Sequence, residues 1–125
     1  MVDLNKIIQA KRTIANFVRN TELYESKKLS VLSGAEVFVK RENLQRTGAY
    51  KIRGAYNKIA HLSDEQKQGG VIAASAGNHA QGVALSAREF GVRAVIVMPE
   101  STPLLKVIGT KNLGAEVILK GNNFD

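Results

Sequence analysis

Apolar residues along this chain fall into two regimes. In the first, about 30 residues long, Leu4, Ile7, Ile8, Ile14 and Phe17 recur at helical spacing, interrupted around Lys11, Arg12 and Thr13. That pattern predicts a helix followed by a connecting loop. From there on the apolar residues gather into short runs. Val37-Phe38-Val39-Lys40 predicts a strand behind a Ser33-Gly34 turn, and an irregular stretch from Asn43 to Gly48 leads into a helix starting near Ala49 or Tyr50. Its buried stripe would be Ile52, Ala55, Tyr56, Ile59, Ala60 and Leu62. Asp64 to Gly70 reads as a polar connection. Three strands then follow: Val71-Ile72-Ala73-Ala74, Ala94-Val95-Ile96-Val97-Met98 and Glu116-Val117-Ile118-Leu119. Between them lie helices from about residue 78 to 90, closed by Gly91, and from about 103 to 113, closed by Gly114. Uninterrupted apolar runs predict strands covered on both faces. The class is therefore α/β, a βαβαβ three-layer domain with a parallel sheet and right-handed crossovers. Gly121 to Asp125 follow directly on the last strand, so an incomplete domain, cut from a longer protein or paired with another chain, is expected.

Composition narrows the classes. A chain of 125 residues that is 44% hydrophobic and 23% charged is one soluble domain's worth. No run nears the roughly 18 apolar residues of a membrane span, and the N-terminus lacks an apolar signal core, so no membrane and a cytoplasmic location are the expectation. The absence of Cys removes disulfides, thiolate nucleophiles and cysteine zinc sites. The net charge of +7 is entirely N-terminal: residues 1–60 carry 12 basic and 5 acidic side chains, residues 61–125 six of each. Those basic residues are dispersed among acids with no aromatic ladder, which describes a solvated face and no nucleic-acid partner.

Two segments are candidates for chemistry. Ser75-Ala76-Gly77-Asn78-His79-Ala80-Gln81-Gly82 lies where a buried strand opens into a helix, which is where open α/β sheets bind ligands. The free N–H groups of a helix start favour an anion. It is neither a Walker loop, since Val83-Ala84 stands where Lys-Ser/Thr is required, nor a G-x-G-x-x-G turn. The residues alone leave open an anion site or merely a tight turn. The second segment is Thr47-Gly48-Ala49-Tyr50-Lys51-Ile52-Arg53-Gly54-Ala55, with Lys51 at a helix start beside Arg53. Both neighbours disfavour its ammonium form, which would make it more nucleophilic. His61 reads as a helix-end cation, and His79 has no partner at metal spacing, so no metal is expected.

Taken in order, Glu42 through Ala55, Ala74 through Gly82, Met98-Pro99-Glu100-Ser101-Thr102-Pro103 and Gly114-Ala115-Glu116-Val117 resemble the threonine/serine dehydratases. These are pyridoxal-phosphate enzymes of the tryptophan-synthase-β-like fold, and the resemblance runs from about residue 6 to the end. It implies an arm of the large domain over residues 1–40 and a truncated small domain over 41–125. It implies the cofactor pyridoxal 5′-phosphate, held by Lys51 as an internal aldimine, with the Tyr50 ring against it and Asn78 on its 3′ hydroxyl. The substrate carboxylate would lie on the backbone of Ser75, Ala76, Gly77, Asn78 and His79. The reaction implied is β-elimination of water from L-threonine, or from L-serine, to a 2-oxo acid and ammonia, in a cytoplasmic homo-oligomer of amino-acid catabolism or isoleucine biosynthesis.

Departures from the family pattern refine this reading. Members commonly place Ser and Phe where Ala49 and Tyr50 stand, so a hydroxyl near the lysine is lost. Related serine racemases carry a second Ser at the position of Ala76, which cannot hold a proton, so a dehydratase is preferred to a racemase. Threonine and cysteine synthases usually have Asp where Ile52 stands. The family's glycine-rich phosphate loop and its pyridine-nitrogen partner lie further along a longer chain, so these 125 residues alone are expected to be inert or nearly so. A non-catalytic α/β binding fragment is the alternative of another class.

Overall fold

The computed structural model describes residues 1–123. Helix α1 spans Leu4–Ile14, capped by Asp3, whose side chain accepts from the Lys6 amide at 2.9 Å. Strand β1 (Leu23–Glu25), helix α2 (Lys27–Ser33) and strand β2 (Phe38–Lys40) follow, with β1 and β2 paired antiparallel, Leu23 opposite Lys40. A single 3₁₀ turn, Glu42–Leu44, leads through an irregular loop to α3 (Lys51–Ala60). Then come α4 (Asp64–Gly69), β3 (Val71–Ala74), α5 (Asn78–Glu89), β4 (Ala94–Met98), α6 (Leu104–Asn112) and β5 (Glu116–Leu119). The three later strands form a parallel sheet in the order β3-β4-β5, Val71 opposite Ala94 and Val95 opposite Glu116. Among the described residues no helix is long and apolar enough to cross a membrane.

The sheet's core lies on one face. Ala94, Ile96 and Met98 alternate along β4 and are buried against Ala80, Val83, Ala84 and Ala87 of α5 and Val107 of α6. Small residues on α5 let that helix sit close to the strands, and burying side chains such as Ile96 and Met98 is worth about 1.5–3 kcal/mol each. Two right-handed crossovers stepping the same way across a sheet put both helices on one side. The opposite face, bearing Ile72 at 74% exposure and Ile118 at 41%, receives no cover from the described residues. The second covering layer that the apolar runs predict is therefore not supplied within residues 1–123.

A second cluster joins the N-terminal segment to this unit: Phe17, Ile52 and Leu85 are buried together. The Phe17 ring stacks on Tyr56 at 4.2 Å between centroids, and the Arg46 guanidinium carbon lies over the Phe17 ring, 4.6 Å from its centroid. The expected α1 stripe is only half realised. Ile14 and Phe17 are buried, whereas Leu4, Ile7 and Ile8 are exposed. Three further elements depart from expectation, the first being α2, a short helix started by its Ser26 cap within what reads as connecting loop. Asp64–Gly69 is a helix and not a plain connection, because Ser63 and Gln66 form a capping box that starts it without any apolar stripe. Strand β1 is three residues long, too short for alternation to announce it.

Gly70 ends α4 at φ +80° and ψ −178°, a conformation essentially confined to glycine, and a Cβ there would stand 2.9 Å from the Arg93 carbonyl oxygen. That oxygen accepts the Val71 N–H that opens the β3–β4 ladder, at 2.8 Å. Gly91 also has positive φ, +64°, but a Cβ there meets nothing within 4 Å. Gly70→Ala is expected to cost about 1–3 kcal/mol more than Gly91→Ala, the difference being overpacking against backbone. Urea midpoints of the two variants measure it, and equal midpoints would contradict the account.

Candidate functional site

The 75–79 turn extends from the carboxyl end of β3. The Ser75 N–H still donates to Val97 O at 3.1 Å, and Ser75 Oγ then accepts from the Gly77 N–H at 3.3 Å, which closes the turn. Gly77 is the N-cap of α5 with extended backbone and offers no side chain to the helix. Helices α1, α2 and α4 are each capped by a side-chain oxygen, from Asp3, Ser26 and Ser63. The start of α5 has no such cap, so its first amides and the positive end of its dipole are available to an anion.

Lys51 is the first residue of α3, likewise without a side-chain cap, since Tyr50 precedes it in helical conformation. Lys51 and Tyr50 are both exposed, and together with Arg53, Gly54, Ala55 and His79 they line an open cavity of about 370 Å³. The fold thus brings Lys51, Tyr50 and His79 to one cavity from segments far apart in sequence. Ser75, Ala76, Gly77 and Asn78 form the turn leading into His79 and do not line that cavity. His61 lies outside it at the end of α3, its Nδ1 2.8 Å from the Asn57 carbonyl oxygen, in keeping with a helix-end role.

Arg53 has a different task from the one its position suggests. Its Nε and Nη2 donate to the two oxygens of Glu42 at 3.0 and 2.7 Å, and Nη2 also reaches Thr21 Oγ1 at 3.2 Å. Thr21 Oγ1 donates to Glu42 Oε1, and Lys40 Nζ donates to Thr21 O at 2.8 Å. Gln45, buried, accepts from the Arg19 N–H at 2.8 Å and donates to Arg19 O at 2.9 Å. This clasp ties residues 19–21 to the loop before Lys51 and to the first turn of α3. The Arg53 charge is compensated by Glu42, so it is not a free cation acting on Lys51. Sequence reading missed Glu42, Thr21 and Gln45, because their spacing follows no period.

The residues fit a phosphorylated aldehyde cofactor in three respects: an exposed amine, an exposed aromatic ring beside it, and uncapped helix N–H groups next to the same open cavity. A family model for pyridoxal-phosphate dependent enzymes matches residues 14–125. The chain is 59% identical to the L-threonine ammonia-lyase of Thermotoga maritima, over the whole of this chain and 31% of that protein. It is 56% identical to the L-threonine dehydratase catabolic TdcB of Staphylococcus aureus, over the whole of this chain and 36% of that one. Maize serine racemase superposes with a TM-score of 0.91 at 39% identity, over 98% of this chain and 37% of that chain. The chain spans about a third of the length of the curated relatives it matches.

The clasp has a pH signature. The hydrogen bond from Arg53 holds the Glu42 carboxyl below its ordinary value of 4.5, opposed by burial and assisted by Thr21 and Lys40. A carboxyl whose folded pKa is lowered contributes stability that is complete above its unfolded value and disappears as pH falls through the folded value. Glu42→Gln is expected to lose about 1–3 kcal/mol at pH 7. The gap to the unsubstituted chain should shrink as the pH is taken below 4.5. Thermal melts across that range test this, and a gap constant with pH would refute it.

Proposed function

The chain belongs to the pyridoxal-phosphate dependent enzyme family, and from that premise we propose that it supplies the lysine-bearing part of the active site of a threonine ammonia-lyase. The observation that carries this is the shared cavity of Lys51, Tyr50 and His79 beside the uncapped start of α5. The overall change balances as L-threonine giving 2-oxobutanoate and ammonia, water being lost from the β-carbon and regained on hydrolysis.

Bound at this site, pyridoxal 5′-phosphate would supply an electrophilic carbonyl and a conjugated ring that draws electrons from the substrate's Cα. The chain's own residues do the rest. Lys51 Nζ would hold the cofactor through its aldehyde carbon, and as a free amine it would take the Cα proton. Tyr50 would offer its exposed ring to the cofactor, and Asn78 would bind the cofactor's 3′ hydroxyl. The backbone N–H groups of the 75–79 turn not already engaged by Val97 O and Ser75 Oγ would hold the α-carboxylate against the α5 dipole, which would fix the substrate's orientation relative to Lys51. Ala76 carries no group that can hold a proton. This favours elimination over the racemisation named for the maize relative. Ala49 is buried at 7% exposure, a place where a Ser hydroxyl would require a hydrogen-bond partner.

L-Threonine is the substrate of this reading, with L-serine as the smaller alternative. A catabolic role is preferred to isoleucine biosynthesis on the strength of the Staphylococcus aureus relative's name. The reading includes a cytoplasmic homo-oligomer. It also keeps residues 1–40 as an arm of a large domain and 41–125 as the small domain, the isolated chain being inert without the phosphate-binding loop.

Joining this chain to the remaining part of the Thermotoga maritima relative tests the assignment. The chimera is expected to form 2-oxobutanoate from L-threonine, and Lys51→Ala to lower its kcat by about 10³-fold or more. The isolated chain should give no product. A chimera that folds and binds the cofactor yet gives no 2-oxo acid, or one indifferent to Lys51→Ala, would overturn the reading.

A further inference from the structure

Gly82 lies one turn into α5, just beyond the 75–79 turn, and is buried. An ideal Cβ on it would stand 3.3 Å from the Ile52 amide nitrogen, 3.3 Å from the Lys51 carbonyl carbon and 3.4 Å from Ile52 Cα. All three atoms are backbone of the first turn of α3. Elsewhere in the helices, Cβ atoms added at Gly54 and Gly109 would meet nothing within 4 Å. The Gly82 backbone is itself anchored: Ser86, fully buried, donates its hydroxyl to Gly82 O at 2.7 Å. Glycine in a helix interior is less favourable than alanine, so its presence here calls for a reason. Direct contact between two helix backbones supplies one.

We propose that Gly82 is a positioning residue for Lys51: its missing side chain lets the α5 backbone seat against the Lys51–Ile52 peptide, which sets the spacing between the lysine and the anion-binding turn. This rests on the assignment of Lys51 made above. Because Gly82 and the 75–79 turn belong to the same helix start, any separation of α3 from α5 at this point carries Lys51 away from the turn. Ile52 is fully buried and α3 has no side-chain cap, so its first turn takes its place from this contact and from the Arg53 clasp.

The test treats the chain with pyridoxal 5′-phosphate, reduces it with borohydride and maps the modified lysines. In the unsubstituted chain the adduct is expected chiefly at Lys51. Gly82→Ala is expected to lower the Lys51 adduct about threefold to tenfold, a fraction of the ~100-fold loss that a 1 Å misplacement can cause. Labelling of Lys58 and Lys106 should be unchanged, and so should cooperative melting. Amide exchange at Ile52, read without cofactor, should quicken. Gly109→Ala, which makes the same helix-propensity change in open space, should leave both readouts as they were. A folded Gly82→Ala chain with undiminished Lys51 labelling and unaltered Ile52 exchange would overturn the role. Should Gly82→Ala not fold, Ile52→Val decides. It trims the adjacent side chain but keeps the backbone contact, so undiminished Lys51 labelling supports the role, and a severalfold loss would place the control in side-chain packing and overturn it. Adducts scattered over many lysines in the unsubstituted chain would instead remove the assignment of Lys51, and the positioning role with it.

Discussion

The packing of α3 on α5 is the contact on which the rest of this chain depends. One helix begins with Lys51 and the other begins with the 75–79 turn, so the distance between the two helix starts is the dimension of the proposed site. That distance is held at a backbone approach with little slack, and interiors packed at this density resist small displacements. Ile52 turns inward beside Leu85 of α5 and Phe17 of the N-terminal segment. The exposed lysine is thus attached to a peptide whose next residue is fully buried. A side chain free to react is thereby carried on a main chain that is not free to move.

The N-terminal segment contributes through polar groups where the helices contribute through packing. Glu42 and Arg53 keep 17% and 27% of their side-chain surfaces exposed, shielded enough for a bidentate pair to be structured but not stripped of water. Such a pair is worth more as a geometric constraint than as a source of stability, because the cost of desolvating both ions offsets much of their attraction. Its role follows from what it joins: Thr21, the 3₁₀ turn at Glu42 and Arg53 in the first turn of α3 are fixed to one another. The residues that hold the lysine's helix in place therefore come from both sides of residue 40.

Much of the fold could be read from the chain, and the exceptions are instructive. The three parallel strands were legible because continuous apolar runs such as Ala94 to Met98 have few other uses, and α5 and α6 because glycines close them. The short capped helices α2 and α4, the strand β1 and the clasp were not, since their hydrogen bonds leave no apolar period. The same runs predict cover on both sheet faces, yet Ile72 is largely exposed among the described residues. Motif order pointed to Lys51 and the 75–79 turn, and the cavity joins Lys51 and Tyr50 to His79 alone of that turn. Arg53 was read as a cation acting on Lys51 because sequence shows proximity and not direction; its fork points to Glu42. Gly82 carried a faint signal, a glycine in the interior of a helix, but nothing in sequence says which backbone it meets.

The central claim is that the start of α3 and the start of α5 form one site. The most direct measurement is an NMR titration of the chain with pyridoxal 5′-phosphate, following backbone amides. The account predicts that the amides of Lys51 and Ile52 and those of Gly77, Asn78 and His79 shift together and saturate with one common dissociation constant. Shifts confined to one of the two segments, or saturation at two distinct concentrations, would contradict it.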